Sequence, residues 1–242
     1  MKMVVKYSGS RVDIAKMTKP IFLSWSSGKD SAWALHTLQQ DPDYDVVALV
    51  TTVNEKHKRV AMHGVREQIL QQQADAAELP LHVLNIPSPC SNGEYAAVMK
   101  DFLKIMQANK IEHMAFGDLY LEDIRQYREK QLANTGITPV FPLWQKPTRQ
   151  LAEEMIDAGL KATITCIDPR KLSADFAGRN FDHDFINDLP DDVDPCGENG
   201  EFHSCVHHGP MFKQPIAVKP GDVVERDGFI FADLLLMPLS TS

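Results

Sequence analysis

Ile21-Phe22-Leu23-Ser24-Trp25-Ser26-Ser27-Gly28-Lys29-Asp30-Ser31 decides how the rest of the chain is read. Three large apolar residues form a short strand. Small polar residues then turn the chain, and Ala32-Trp33-Ala34-Leu35-His36 continues as a helix. A strand that empties through Ser-Ser-Gly into a helix N-terminus is a phosphate site on physical grounds. The first N–H groups of a helix lack internal partners, and the helix dipole places partial positive charge there. Gly28 lets the backbone turn close to an anion, Lys29 adds a full charge, and Asp30 is placed to hold magnesium against the same phosphates. The Walker A pattern does not fit: Leu23 stands five positions before Gly28, and Asp30 follows Lys29 where Ser or Thr is required. The plain alternative is a Ser/Asp-capped helix after a strand.

Composition sets the outer limits. The chain has 242 residues, of which 43% are hydrophobic and 24% charged, the profile of an ordinary globular protein. No apolar run reaches the length of a membrane span, and the N-terminus has no signal-peptide core. Four cysteines in a chain this long are not a disulfide scaffold, so a reducing, cytoplasmic setting is expected. The net charge of −8 argues against a broad nucleic-acid surface but not against a small basic pocket. Lys29, Arg59, Arg66, Arg125 and Arg128 are available for one polyanionic ligand.

Beyond the opening stretch, apolar strands alternate with helical patterns. Residues 1–18 read as a loose leader. Residues 45–53 form a near-continuous β-branched run, the mark of a strand buried on both faces. A helix ending near Glu78, a strand at 81–86, a helix from Asn92 and a strand at 114–116 follow. This alternation predicts an α/β fold with a doubly wound parallel sheet. If the strands are ordered 3-2-1-4, Ser26–Asp30 and Gly117-Asp118 face one crevice at the switch point, although about ninety residues separate them. A domain boundary is placed near 135, giving an N-terminal domain over 19–135 and a smaller α+β domain over 136–242. In the latter, strands are expected at 162–167, 202–206, 214–218 and 229–237, with turns at Gly221-Asp222 and Asp227-Gly228. The apolar tail Phe229–Met237 suits a core strand or a dimer edge.

A second informative segment is Asp194-Pro195-Cys196-Gly197-Glu198-Asn199-Gly200-Glu201-Phe202-His203-Ser204. Glu198 and Glu201 on a glycine-rich loop are spaced to converge on a cation or an ammonium-like group. A hydrophilic hairpin is the competing reading. Cys196, His203, Cys205, His207 and His208 lie within thirteen residues. Their spacing is not a standard zinc pattern, but alternate residues of a strand share a face, so a metal site stays open. Arg125 and Glu129 are four apart on a charged helix, where a solvated ion pair and a ligand role are both available.

Together these stretches resemble the diphthine–ammonia ligase family of ATP-pyrophosphatases, and in particular its bacterial-type homologues, over about residues 20–218. The resemblance rests on Ser26-Ser27-Gly28-Lys29-Asp30-Ser31, similar to the loop S-G-G-x-D-S with Ser27 in place of the first Gly. It rests also on Met62-His63-Gly64-Val65-Arg66, Phe116-Gly117-Asp118-Leu119, Arg125 with Glu129, Phe141-Pro142-Leu143-Trp144, Gly178-Arg179 and the Cys196-to-His203 loop. It implies a nucleotide α-hydrolase (HUP) fold and cleavage of ATP to AMP and pyrophosphate. The archetypal reaction of that family forms the amide of diphthamide on translation elongation factor two. A carboxylate attacks the α-phosphate to give an acyl-adenylate, and ammonia displaces AMP. On this reading Ser24, Ser26, Ser27, Gly28, Lys29, Asp30, Ser31, Gly117 and Asp118 bind ATP, and Asp30 and Asp118 hold Mg²⁺. His63, Arg66, Arg125, Glu129, Glu198, Glu201 and His203 bind the acceptor, and Lys29, Asp30, Glu198 and Glu201 are catalytic. The partners are ATP and a carboxylate acceptor, with ammonia as the nitrogen source, in a monomer or a homodimer. The acceptor itself is not fixed by the resemblance. A tRNA-modifying enzyme with the same loop would need a catalytic cysteine pair or a basic appendage. A nucleotide sensor would bind ATP without making AMP.

Overall fold

The computed structural model describes residues 18–56, 59–60, 64–87 and 90–237. The leader and His63 lie outside the described residues. Strand β1 (Lys19–Ser24) buries Ile21, Phe22 and Leu23 on both faces. Such a strand needs neighbours on both edges and cover on both faces, and it occupies the middle of the first sheet. After it come α1 (Lys29–Gln40), β2 (Tyr44–Asn54), β3 (Arg59–Val60), α2 (Glu67–Ala77), β4 (Leu81–Ile86), α3 (Asn92–Ala108), β5 (His113–Ala115), α4 (Glu122–Leu132) and β6 (Thr138–Val140).

β4, β2, β1, β5 and β6 run parallel in that order, and only the short β3 pairs antiparallel with β2. The expected 3-2-1-4 order is therefore observed, and the strand order reverses between β1 and β5. Thr138–Val140, which the sequence reading placed after the boundary, pairs with β5 of this sheet. One face of the sheet packs Phe22, Val50 and Met114 against Phe102 and Met106 of α3 and Leu132 of α4. The other face packs Ile21, Leu23 and Leu49 against α1 and α2.

α5 (Thr148–Asp157), β7 (Lys161–Ile167), α6 (His183–Asp188), β8 (Phe202–His208), β9 (Val218–Arg226) and β10 (Phe229–Leu236) complete the fold. The four strands form a second, antiparallel sheet in the order β8-β7-β10-β9. Its buried side chains, including Ile164, Phe202 and Val206, join the α1/α2 side of the first sheet in one apolar cluster. The tail strand β10 lies between β7 and β9, so it is an interior strand and not an edge.

The expected strand at 214–218 is corrected. The strand begins at Val218 and runs through Gly221-Asp222, which is not a turn. The only turn of this hairpin is Asp227-Gly228, where both residues have positive φ (+52° and +77°). Gly221 sits inside the strand because a Cβ there would meet Asp233 Cβ at 3.0 Å, beside the register shift between Ala232 and Leu234. Among the described residues, no helix is long and apolar enough to cross a membrane.

Candidate active site

The crevice outside the C-terminal ends of β1, β2 and β5 holds two adjoining chambers. The larger, about 440 Å³, is lined mainly by apolar side chains, among them Val50, Val60, Leu84, Met99 and Phe116. The smaller, about 220 Å³, is polar and is lined by Ser26, Lys29, Asp30, Asp118, Arg128 and Glu198, among others. Ser24, Ser26, Asp118, Arg128, Glu198 and His203 border both.

The loop between β1 and α1 is held by the sequence that makes it. Ser31 Oγ donates to the Gly28 carbonyl at 3.0 Å and accepts from the Ser26 N–H at 3.3 Å. Ser27 is fully buried with φ +71°, a left-handed conformation that favours glycine. The serine thus occupies a glycine-type backbone position in the loop. Gly117 is needed for a different reason: a Cβ there would lie 2.9 Å from the Asp30 carbonyl carbon and 3.0 Å from the Ser31 nitrogen. That close approach puts Asp118 beside the start of α1.

The loop at 194–202 forms the opposite wall. Asp194 Oδ1 accepts from the N–H groups of Cys196 (2.9 Å) and Glu198 (3.2 Å), a turn typical of aspartate. Gly197 has φ +68°, and a Cβ on it would strike the Phe202 carbonyl oxygen at 2.8 Å. Glu198 reaches into the crevice, where its Oε1 accepts from the Leu119 N–H at 2.8 Å. Glu201 does not line either chamber. Its Oε1 accepts from the Asp194 N–H (3.2 Å) and Asn199 Nδ2 (3.0 Å), so it braces the loop from inside. The two glutamates therefore do not converge on one group.

Lys29 is almost fully buried. Its ammonium donates to the Cys196 carbonyl and to Asp30 Oδ2 (2.9 Å), and it lies over the rings of Phe202 and Phe181. Burial pulls its pKa down, but the Asp30 carboxylate and its other neighbours outweigh that and keep it protonated. Burial pushes the Asp30 and Asp118 carboxyls above their usual range, against the pull of Lys29 and Arg128 respectively. Glu198 is raised to about 7, by burial first and then, against the Leu119 N–H and Lys29, by Asp30 and Asp118. Three carboxylates around one small chamber thus disfavour one another's ionisation.

Arg128, outside the motifs but one of the five basic residues named for a polyanionic ligand, lines both chambers, with Nε 3.5 Å from Asp118 Oδ2. Ile124 and Arg128 share the inner face of α4. Arg125 and Glu129 occupy the next face, paired at 2.8 Å, with Arg125 stacked over Trp144 and Phe141. The helical period separates the two arginines. Tyr95 and Met99 likewise reach the apolar chamber from one face of α3, whose start is fixed by a Ser91–Glu94 capping box. Arg66 does not enter the crevice lining. It pairs with Asp233 of β10 through two nitrogens. Arg179 pairs with Asp188 and stacks on Phe176.

Among the described residues, no three His, Cys, Asp or Glu side chains are grouped to hold a metal by themselves. In the 196–208 segment, Cys205 is fully buried against Gln73, and burial pushes its thiol up to about 12. Burial also raises Cys196, against the pull of Lys29.

A mostly parallel sheet with a crevice at its switch point, joined by an antiparallel second sheet, defines a nucleotide α-hydrolase-like (HUP-like) α/β protein. Two family models place it more closely: the diphthamide synthase N-terminal domain matches residues 18–139, and the diphthamide synthase C-terminal domain matches residues 147–231. The chain belongs to the diphthamide synthase family. Similar curated proteins carry the name diphthine–ammonia ligase. The one from Schizosaccharomyces pombe is 26% identical over 221 residues, covering 83% of this chain and 36% of that protein. Those from Bos taurus and Homo sapiens are each 25% identical over 175 residues, covering 66% of this chain and 65% of theirs. The chain thus spans about a third of the length of the first and just under two thirds of the other two.

Proposed function

We propose that this chain is an ATP-dependent amide ligase that transfers AMP to a substrate carboxylate, releases pyrophosphate, and then forms an amide with ammonia. The observation that carries the reading is the pairing of an apolar chamber with a polar one at the switch point, joined across Ser26, Asp118 and Glu198. The apolar chamber suits a nucleobase and lies within the usual size range of small-molecule sites. The polar chamber suits the triphosphate, with the loop at 26–31, Lys29 and Arg128 as its cationic and N–H donors. Leaving pyrophosphate is stabilised most by charge fixed in advance, which these groups supply.

Asp30 Oδ1 is buried without a hydrogen-bond partner, Asp118 Oδ2 is met only by the Arg128 guanidinium at 3.5 Å, and both residues line the polar chamber. Two carboxylates with acceptor capacity to spare fit Mg²⁺, which characteristically takes one or two carboxylates and completes its shell with phosphates and water. When bound, the ion neutralises phosphate charge. Glu198, poised near neutrality, accepts a proton from ammonium so that ammonia can attack the acyl group. Glu201 keeps the Glu198 loop in shape.

The relatives' name, diphthine–ammonia ligase, supports a carboxylate acceptor such as that of diphthine. The buried thiols of Cys166 and Cys205, held near 12, favour this reading over sulfur transfer. The test is to incubate the protein with ATP, Mg²⁺, ammonium and a panel of carboxylates, and to resolve the nucleotides. AMP and pyrophosphate formed in step with an amide are expected. ADP and phosphate as products would rule the proposal out.

A further inference from the structure

Gln73 lies in the middle of α2 with no exposed surface. A buried amide must place every polar atom, and this one does so on the segment between β1 and α1 and on β8. Its Oε1 accepts from the Trp25 indole N–H at 2.9 Å. Its Nε2 donates to the Ser27 carbonyl at 3.0 Å and to the Val206 carbonyl at 2.7 Å. One donor on one side and two carbonyls on the other admit only this orientation of the amide. Trp25 leads into the loop at 26–31, Ser27 is part of it, and Val206 belongs to β8 of the second sheet. β8 holds the same loop twice more. The Val206 N–H donates to the Ser27 carbonyl at 3.0 Å, and the Lys29 N–H donates to Ser204 Oγ at 3.2 Å.

Both lone pairs of the Ser27 carbonyl are therefore occupied, one by Gln73 and one by β8. Ser27 is the residue held at φ +71°, a conformation that persists only where the surroundings over-determine it. We infer that Gln73 is a positioning residue for the phosphate loop: its amide locks the Ser27 peptide against the second sheet and so sets where Gly28 and Lys29 begin α1. This rests on the nucleotide reading above, and it adds that the second sheet helps shape the triphosphate site through a residue that need not touch the ligand.

The test compares wild-type protein with Gln73→Met, which keeps length and apolar volume but loses all three hydrogen bonds. Calorimetry with Mg²⁺ present reads the binding of ATP, AMP and inorganic tripolyphosphate. ATP and tripolyphosphate should bind about tenfold more weakly to the variant, while AMP changes by less than about twofold, because only the first two engage the whole loop. Equal weakening of all three ligands, or no weakening of any, would overturn the inference. If Gln73→Met does not fold, Trp25→Phe removes the indole donor along with part of a ring that lines the apolar chamber, so tripolyphosphate, which has no base, is the ligand read. Tripolyphosphate binding should then weaken about threefold, and unchanged binding would overturn the inference equally. Asp233→Asn, which loosens the junction away from the loop, should leave the preference for ATP over AMP unchanged. A wild-type protein that binds neither ATP nor tripolyphosphate would defeat the nucleotide reading itself, before any variant is compared.

Discussion

Replacing Glu198 by glutamine should stabilise the protein above neutral pH while slowing amide formation. The side chain is only partly exposed, and its carboxyl is held at about 7, against an ordinary 4.5. Folding therefore takes up a proton between those two values, and stability falls as pH rises through that window. Two and a half pH units at about 1.4 kcal/mol each give roughly 3 kcal/mol, which contact with cavity water reduces to about 2 kcal/mol. Glutamine carries no charge to desolvate, and its carbonyl oxygen can still accept from the Leu119 N–H. The variant should match wild type at pH 4.5 and exceed it by about 2 kcal/mol at pH 8, a shift of about 1 M in the urea midpoint. Urea titrations at both pH values, alongside AMP formation at limiting ammonium, test both halves. A stability difference that does not change with pH would refute the electrostatic argument. Undiminished amide formation would remove Glu198 from the chemistry.

Gly117→Ala should cost about 1–3 kcal/mol of stability and weaken ATP binding, since its new Cβ would lie 2.9 Å from the Asp30 carbonyl carbon. Calorimetry giving an unchanged affinity would mean that α1 can shift without consequence. Ser27→Gly should be more stable than Ser27→Ala by about 1 kcal/mol, because only glycine relieves the positive φ; equal melting temperatures would show that the loop stores no strain. Burial raises the Asp233 carboxyl, but Arg66 and Arg59 outweigh it and hold it at about 2. The stability it supplies is present above the ordinary 3.8 and lost as pH falls through about 2. Asp233→Asn should therefore cost about 1–2 kcal/mol at pH 7, with the deficit vanishing near pH 2; a deficit that persists under acid would show that packing, not charge, is lost.

Much of the first sheet can be read from local pattern. The run Ile21-Phe22-Leu23 and the β-branched stretch at 45–53 read as strands covered on both faces, and their alternation with helices predicts a parallel sheet, whose strand order the structure supplies. The loop at 26–31, Gly117-Asp118 and Glu198 are likewise marked by motif and spacing, and the structure brings them to one crevice. The second sheet was harder. Gly221 looked like a turn because a lone glycine carries the same local signal in a bulged edge strand, and only its partner Asp233 distinguishes the two. Arg125 and Glu129 carried the helix signal, yet Arg128 faces the crevice, and a charged helix does not announce which face is inward until its neighbours are placed.

The strand–loop–helix unit, the alternation of a parallel sheet and the two stretches of chemical residues are local properties of the chain, since each depends on interactions within a few residues or on a repeating period. Which of those residues meet is set by the packing of the two sheets. It separated Glu198, in the crevice, from Glu201, inside its loop. It spent Arg66 on Asp233, and it made Gln73, an unremarked residue in a run of glutamines, the link between loop and second sheet. The reason is physical: a buried polar group is defined by the partners that satisfy it, and those partners come from strands far apart in the chain whose spacing no local pattern encodes.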